Sequence, residues 1–344
     1  MLSIKPFGMT QNNVAVQCAT LHDTAGNSVS FLNYGATMQS MIIKDCHGTL
    51  RDICLGYDTI AAYQEQNGCF GGLVGRCVNR IKPTQFLLDD HLHILSENRP
   101  GLHIHGGFVG FHQKIWDMSA CEDTLLLTLF SPDGEEGYPG DLTVTLHVRF
   151  SSPGTVEMTY RAITNKETII NLTNHSYFNL DGHAAGDARL QNLKIAANEV
   201  AVPENGIPTG ERCSVNNSML DFRTLRPIQT ETPLPFGSDG YDFCYLIDAC
   251  TLCPCAQLTA RDGGLSMILE SDLPALQLYD GYGITPRIGK GGNNYAANSG
   301  ICLEPEYVPN AINLATFPKP VFGPRKQFAH TVRYHFLAGN EASL

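Results

Sequence analysis

Residues 171–180 read NLTNHSYFNL, and the reading of this stretch decides the rest. Taken as a half-buried strand, it sends alternate side chains to opposite faces. Asn171, Thr173, His175, Tyr177 and Asn179 then share one face, and Leu172, Asn174, Ser176, Phe178 and Leu180 the other. The first face is an unbroken row of hydrogen-bonding groups with an imidazole at its centre. Such a row is costly to bury against an apolar core. It suits the floor of a polar cleft that holds a polyhydroxylated ligand. A solvent-facing edge strand with an incidental histidine has the same pattern, so the stretch alone leaves both readings open.

The flanking sequence is made of similar short runs. Asn13–Leu21, Ser28–Asn33, Thr37–Lys44, Thr124–Phe130, Asp141–Phe150 and Thr155–Thr164 alternate or are rich in β-branched residues, and SPDGEEGYPG and SSPG separate the last three. Gln85–Leu95 reads as a hairpin turning on Asp89-Asp90. Gln257–Arg261, Leu265–Glu270, Ala275–Tyr279, Ile301–Tyr307 and His330–Leu337 continue the pattern. Helical periodicity is confined to Asp58–Gln66, with Asp58 as the expected N-cap. Many short strands and few helices predict an all-β antiparallel sandwich or barrel. No linker or repeat divides the chain, so residues 1–344 are expected to form a single domain.

The chain has 344 residues, with 23 Lys+Arg against 34 Asp+Glu, a net charge of −11. Nucleic acid and anionic membranes reward a basic surface, so neither is the expected partner. A small neutral hydroxylated ligand fits better. There is no apolar run long enough to span a bilayer. The opening MLSIKPFGMT does not read as an export signal. The twelve cysteines, Cys250 and the Cys253-Pro254-Cys255 pair among them, are therefore expected to be reduced in a cytosolic protein. Pro254 suggests a loop for that pair.

Four further stretches concentrate polar groups near glycine or inside apolar runs: GRCVNRI at 75–81, LHIHGG at 102–107, GSDGYDFCY at 237–245 and ICLEPEYVPN at 301–310. Glu304 and Glu306 interrupt the last run. A carboxylate in such a place is either paired, for example with Arg80, or functional. His91 and His93, like His103 and His105, would share a strand face. His93 and His103 are read as structural. No pair has the spacing of a structural zinc site or of a zinc hydrolase, so no metal is expected. Nucleotide-binding glycine motifs and the G-x-S-x-G elbow are lacking. The remaining imidazoles, carboxylates, asparagines and arginines suit general acid–base chemistry on a sugar without a cofactor.

These residues resemble the aldose 1-epimerase (galactose mutarotase) family. NLTNHSYFNLDG at 171–182 is very close to the signature around that family's catalytic histidine. GRCVNRI, HIHGG (103–107), GYD (240–242), LQLY (276–279) and LEPEYVPNAIN (303–313) resemble its other motifs in the same order. The resemblance implies a large antiparallel β-sandwich, the galactose mutarotase-like supersandwich, with the sugar in an open cleft. It places His175 on the general acid and Glu304 on the general base. Asn79, Arg80, His105, Asp242 and Gln277 fall on positions that hold sugar hydroxyls, and Tyr177 would share the face of His175. Pro305 and Glu306 stand where the family often has Thr-Gln or Ser-Gln. Phe243 and Cys244 replace a frequent His-Asn, and Tyr282 a common asparagine. These changes bear on sugar preference more than on the reaction.

The implied reaction interconverts the α and β anomers of a free aldohexose such as galactose or glucose. An imidazole with an ordinary pKa of about 6.5 is mostly neutral at pH 7, so Asp242 and Glu304 are expected to favour the protonated form of His175. The expected state is a monomer or homodimer. A glycoside hydrolase using Glu304 and Asp242, a sugar-binding protein of the same fold without strong catalysis, and an epimerase for a different or modified sugar are the alternatives.

Overall fold

The computed structural model describes residues 1–66, 68–230, 232–248 and 251–339. Period-two alternation shapes most of it. Leu142–Ser152 buries Leu142, Val144, Leu146 and Val148 on one face, and Phe328–Ala338 buries Phe328, His330, Val332, Tyr334 and Phe336. Side chains two apart lie on the same side of a strand, so each such strand contributes a continuous apolar stripe.

These stripes assemble into a nine-stranded antiparallel sheet. Its spatial order is Asp117–Cys121, Thr124–Ser131, Leu142–Ser152, Thr155–Thr164, Phe328–Ala338, Leu265–Ser271, Cys253–Thr259, Asn192–Ile195 and Arg226–Pro227. A five-stranded sheet runs from Leu2–Met9 to Leu50–Asp52 in sequence order. A second five-stranded sheet has the order Ile207–Ser214, Glu199–Glu204, Asp242–Leu246, Ala275–Tyr279 and Cys302–Glu306. One apolar cluster draws on all three: Phe31 and Met41 from the first-named five-stranded sheet, Leu146 and Met267 from the nine-stranded one, Leu278 and Leu303 from the last. The architecture is the all-β sandwich that the sequence predicts.

The second five-stranded sheet positions the polar groups. Its Phe243, Leu276, Leu278 and Leu303 join the apolar cluster. The alternate residues Asp242, Gln277, Cys302, Glu304 and Glu306 consequently project from the opposite face. Burying a leucine side chain contributes about 1.5–3 kcal/mol, so the apolar half of this alternation fixes the register of the polar half. Gln277 is paired directly with Glu304, and Cys244 with Gln277.

Several local expectations are corrected. Residues 171–180 are not a regular strand with one wet face. Only Thr173–Asn174 is strand, and all ten residues are buried. Asn171 exchanges hydrogen bonds with the backbone of Tyr307, Asn174 donates to the carbonyl of Gly71, and Asn179 donates to the carbonyls of Gly186 and Ser299. These amides brace loops and are satisfied internally. Cys253–Thr259 is a strand, not a loop; the register shifts between Pro254 and Ala256, which lets a proline sit in a ladder. The helix Ile60–Gln66 is capped by Thr59, whose hydroxyl accepts from the Ala62 N–H, while Asp58 accepts from the Gly291 N–H. The hairpin Gln85–Leu88 and His91–Ile94 turns on Asp89 and Asp90, both at positive φ, as expected. No disulfide joins the eleven described cysteines; Cys250 lies outside the described residues.

Candidate active site

Asn79, Arg80, His105, His175, Tyr177, Asp242, Gln277 and Glu304 all line one open cleft of about 300 Å³. Asp242, Gln277 and Glu304 come from neighbouring strands of the second five-stranded sheet. The Gln277 amide donates to Oδ1 of Asp242 at 2.6 Å, and Oδ2 of Asp242 accepts from the Arg80 guanidinium at 3.2 Å. Arg80 therefore pairs with Asp242, not with Glu304. Oε1 of Gln277 is buried and has no hydrogen-bond partner among the described residues. It is an acceptor without a protein donor at the edge of a polar cleft.

Asn79 and His105 approach from two adjoining loops, both with positive φ (64° and 52°). Such backbone is uncommon for non-glycine residues and clusters at functional sites. The loops are tied together: the His105 N–H donates to the Asn79 carbonyl at 3.1 Å, and the Asn79 N–H donates to Nδ1 of His105 at 3.3 Å. Gly106 makes this crossing possible. It sits at φ +84°, and a Cβ there would lie 1.8 Å from the Gly75 carbonyl oxygen. His103 does not share a face with His105. It is buried against Ser96 and 2.6 Å from the Tyr138 hydroxyl, the structural place expected for it. His93 stacks on Phe86 in the hairpin.

The two arginines of GRCVNRI serve different ends. Arg76 is buried, and its guanidinium donates to the Ser131 hydroxyl and to the carbonyls of Ser131, Pro132, Pro139 and Gly140. Only Arg80 reaches the cleft.

His175 is held from both sides of its backbone, its N–H donating to Gly72 and its carbonyl accepting from Gly71. Its ring stacks on Tyr177 (centroids 5.0 Å apart, 20°) and meets His105 edge-on. Nε2 of His175 lies 3.8 Å from Oε2 of Glu304. This is contact without a direct hydrogen bond. Both groups are buried, and burial moves both toward their neutral forms. The imidazole is lowered to about 4, and the carboxyl is raised to about 8, first by burial and then by Asp242. The expected imidazolium is thus corrected: burial strips the ring of hydration and holds it neutral.

Composition and spacing did not single out Tyr279, Arg99 or Cys69, which also line the cleft. Cys302 stands between the apolar Ile301 and Leu303 in sequence, yet its sulfur is 3.5 Å from Nδ1 of His175. His175, Cys302 and Glu304 each bring one donor atom to within 4.8 Å of the others, a spacing a divalent cation could bridge. The ring divides them, however, with Nδ1 toward the sulfur and Nε2 toward the carboxyl.

Residues 17–335 match the aldose 1-epimerase family model. The chain belongs to the aldose 1-epimerase family. It is 33% identical to galactose mutarotase of Rattus norvegicus over 314 residues, 90% of this chain and 91% of that protein. It is 32% identical to aldose 1-epimerase of Escherichia coli K12 over 332 residues, 93% and 94% of the two chains. The crystal structure of galactose 1-epimerase from Lactobacillus acidophilus superposes with a TM-score of 0.84 at 27% identity, covering 98% of this chain and 99% of that one. The family match accounts for the sandwich.

Proposed function

We propose that this aldose 1-epimerase family member interconverts the α and β anomers of a free aldohexose, with His175 and Glu304 as the acid–base pair. The observation that carries this reading is the 3.8 Å approach of the two groups at the cleft floor. That spacing lets them address the two oxygens on a single hemiacetal carbon.

Glu304, as carboxylate, takes the proton of the C1 hydroxyl. His175, as imidazolium, gives its Nε2 proton to the ring oxygen. The C1–O5 bond breaks and the open-chain aldehyde forms. Rotation about C1–C2 presents the other carbonyl face, and the ring closes with the two groups in reversed roles. A neutral imidazole beside a carboxylic acid contains as many protons as an imidazolium beside a carboxylate. Moving one proton from Glu304 to His175 therefore arms the pair without exchange with solvent. Each acid–base partner supplies about 10²–10⁴-fold.

Arg80, Asp242, Gln277, Asn79 and His105 hold the sugar hydroxyls in this scheme, and the unpartnered Oε1 of Gln277 supplies one acceptor. Tyr177 braces the imidazole by stacking. Both proton-transfer groups belong to the chain, so the scheme calls for no cofactor. A chain with eleven described cysteines and no disulfide among them suits a reducing compartment such as the cytosol. Polarimetry on freshly dissolved α-D-galactose and α-D-glucose tests the proposal. It requires faster mutarotation of at least one of them, and no acceleration of either counts against it.

A further inference from the structure

Cys302 and Glu304 are two residues apart on one strand and project from the same face. The imidazole of His175 lies across them. Nε2 is 3.8 Å from Oε2 of Glu304, and Nδ1 is 3.5 Å from Sγ of Cys302. The sulfur contact is within hydrogen-bonding range for a thiol. Each ring nitrogen thus faces a side chain, and both side chains come from the same short strand.

We infer that Cys302 is a positioning residue for the reaction: its sulfur holds Nδ1 of His175, so that Nε2 is the nitrogen that exchanges a proton with the sugar. This inference rests on the acid–base reading of His175. The two nitrogens of an imidazole are distinct, and the group bonded to one fixes the role of the other. A thiol suits this place because its sulfur accepts without adding charge. In the neutral ring that enters the cycle, Nδ1 carries the proton and donates to the sulfur, which leaves the Nε2 lone pair toward Glu304. Nε2 then takes the Glu304 proton to give the imidazolium and passes it to the ring oxygen, which returns the ring to the Nδ1–H tautomer. The Nδ1–H···S contact therefore persists through the whole cycle. Burial keeps Cys302 in the thiol form, so it adds no negative charge beside Glu304.

Cys302→Ala removes the contact and leaves in place every side chain that faces the sugar. Kinetics should show kcat for mutarotation falling about 3–10-fold, the rate equivalent of one ordinary hydrogen bond, with KM within about twofold of the parent. The ring ¹⁵N resonances of His175 should move toward each other as the two neutral tautomers mix. Cys302→Val refills the space with neither donor nor acceptor, and it should show the same kcat loss and the same spectral change. It also serves if the alanine variant does not fold. A folded variant with parent-like kcat and unmoved ring resonances overturns the inference, as does recovery of kcat by valine, which would assign the residue to packing. If the parent protein itself does not accelerate mutarotation, the acid–base reading fails instead, and that result is distinguishable from these.

Discussion

Nε2 of His175 and Oε2 of Glu304 lie 3.8 Å apart, both buried, with the imidazole held down to about 4 and the carboxyl pushed up to about 8. Burial is the first cause of both shifts. Between them the pair holds a single transferable proton, which is what an enzyme needs to give and take one proton at once. Below about 4 the pair gains a second proton and has no base. Above about 8 it loses the only one and has no acid. A plot of kcat/KM against pH, corrected for uncatalysed mutarotation, should be bell-shaped with limbs near these values. A steep limb between pH 6 and 7, at the ordinary imidazole value of about 6.5, would show that burial does not govern the pair.

Arg80 and Arg76 should respond differently to lysine. Arg80→Lys weakens the contact to Asp242 at the cleft edge and should raise KM about 3–10-fold, with a smaller change in kcat. Arg76→Lys cannot replace a planar guanidinium serving five acceptors. It should lower stability by about 2 kcal/mol or more in denaturant titration while leaving the KM of the folded fraction near that of the parent. A KM effect confined to Arg76→Lys would reverse the two assignments.

Glu306 carries no part of the proposed chemistry, yet it is fully buried. Its Oε1 accepts from the Asn79 amide at 3.1 Å, and its Oε2 has no partner among the described residues. Burial, and then Glu304, hold its carboxyl well above the usual range. The folded form therefore keeps a proton that the unfolded chain releases. Its stabilising contribution is complete below the ordinary value of about 4.3 and is lost as pH rises toward the raised one. Glu306→Gln cannot ionise, so its melting temperature should rise relative to the parent between pH 5 and pH 8, by about 2 °C or more at the upper end. Parallel melting curves across that range would mean that Glu306 is ionised in the fold.

Gly106→Ala places a Cβ 1.8 Å from the Gly75 carbonyl oxygen, at a φ of +84°. The loops that carry Asn79 and His105 must then separate. We expect a loss of more than about 1 kcal/mol in stability, together with a raised KM, because both sugar-facing side chains shift. Unchanged KM in a destabilised variant would detach these loops from sugar binding.

The sandwich was legible from period-two alternation and from turns such as SPDGEEGYPG. Asn79, His105, Asp242 and Glu304 were legible as polar residues beside glycine or inside apolar runs, whereas Gln277 and the joining of these residues with His175 into one cleft were legible only through the family resemblance. Sequence could not show where polar groups find partners. Asn171 and Asn179 looked like ligand contacts and are loop braces, because their partners, Tyr307, Gly186 and Ser299, are remote or unremarkable in sequence. Cys302 looked apolar because its neighbours in the chain are Ile301 and Leu303, and its contact to His175 crosses 127 positions. The neutral state of His175 departs from the sequence expectation for a related reason. Carboxylates can be named from a sequence, whereas the depth of burial that lowers this imidazole emerges only from the packed sheets.

The central claim is that His175 and Glu304 carry out the proton transfers. Its most direct measurement is the polarimetric rate of mutarotation for His175→Asn and Glu304→Gln beside the parent, on whichever hexose the parent accelerates, with circular dichroism to verify folding. The account predicts folded variants whose kcat falls about 10²–10⁴-fold. A folded variant of either kind that retains near-parent mutarotation would contradict it.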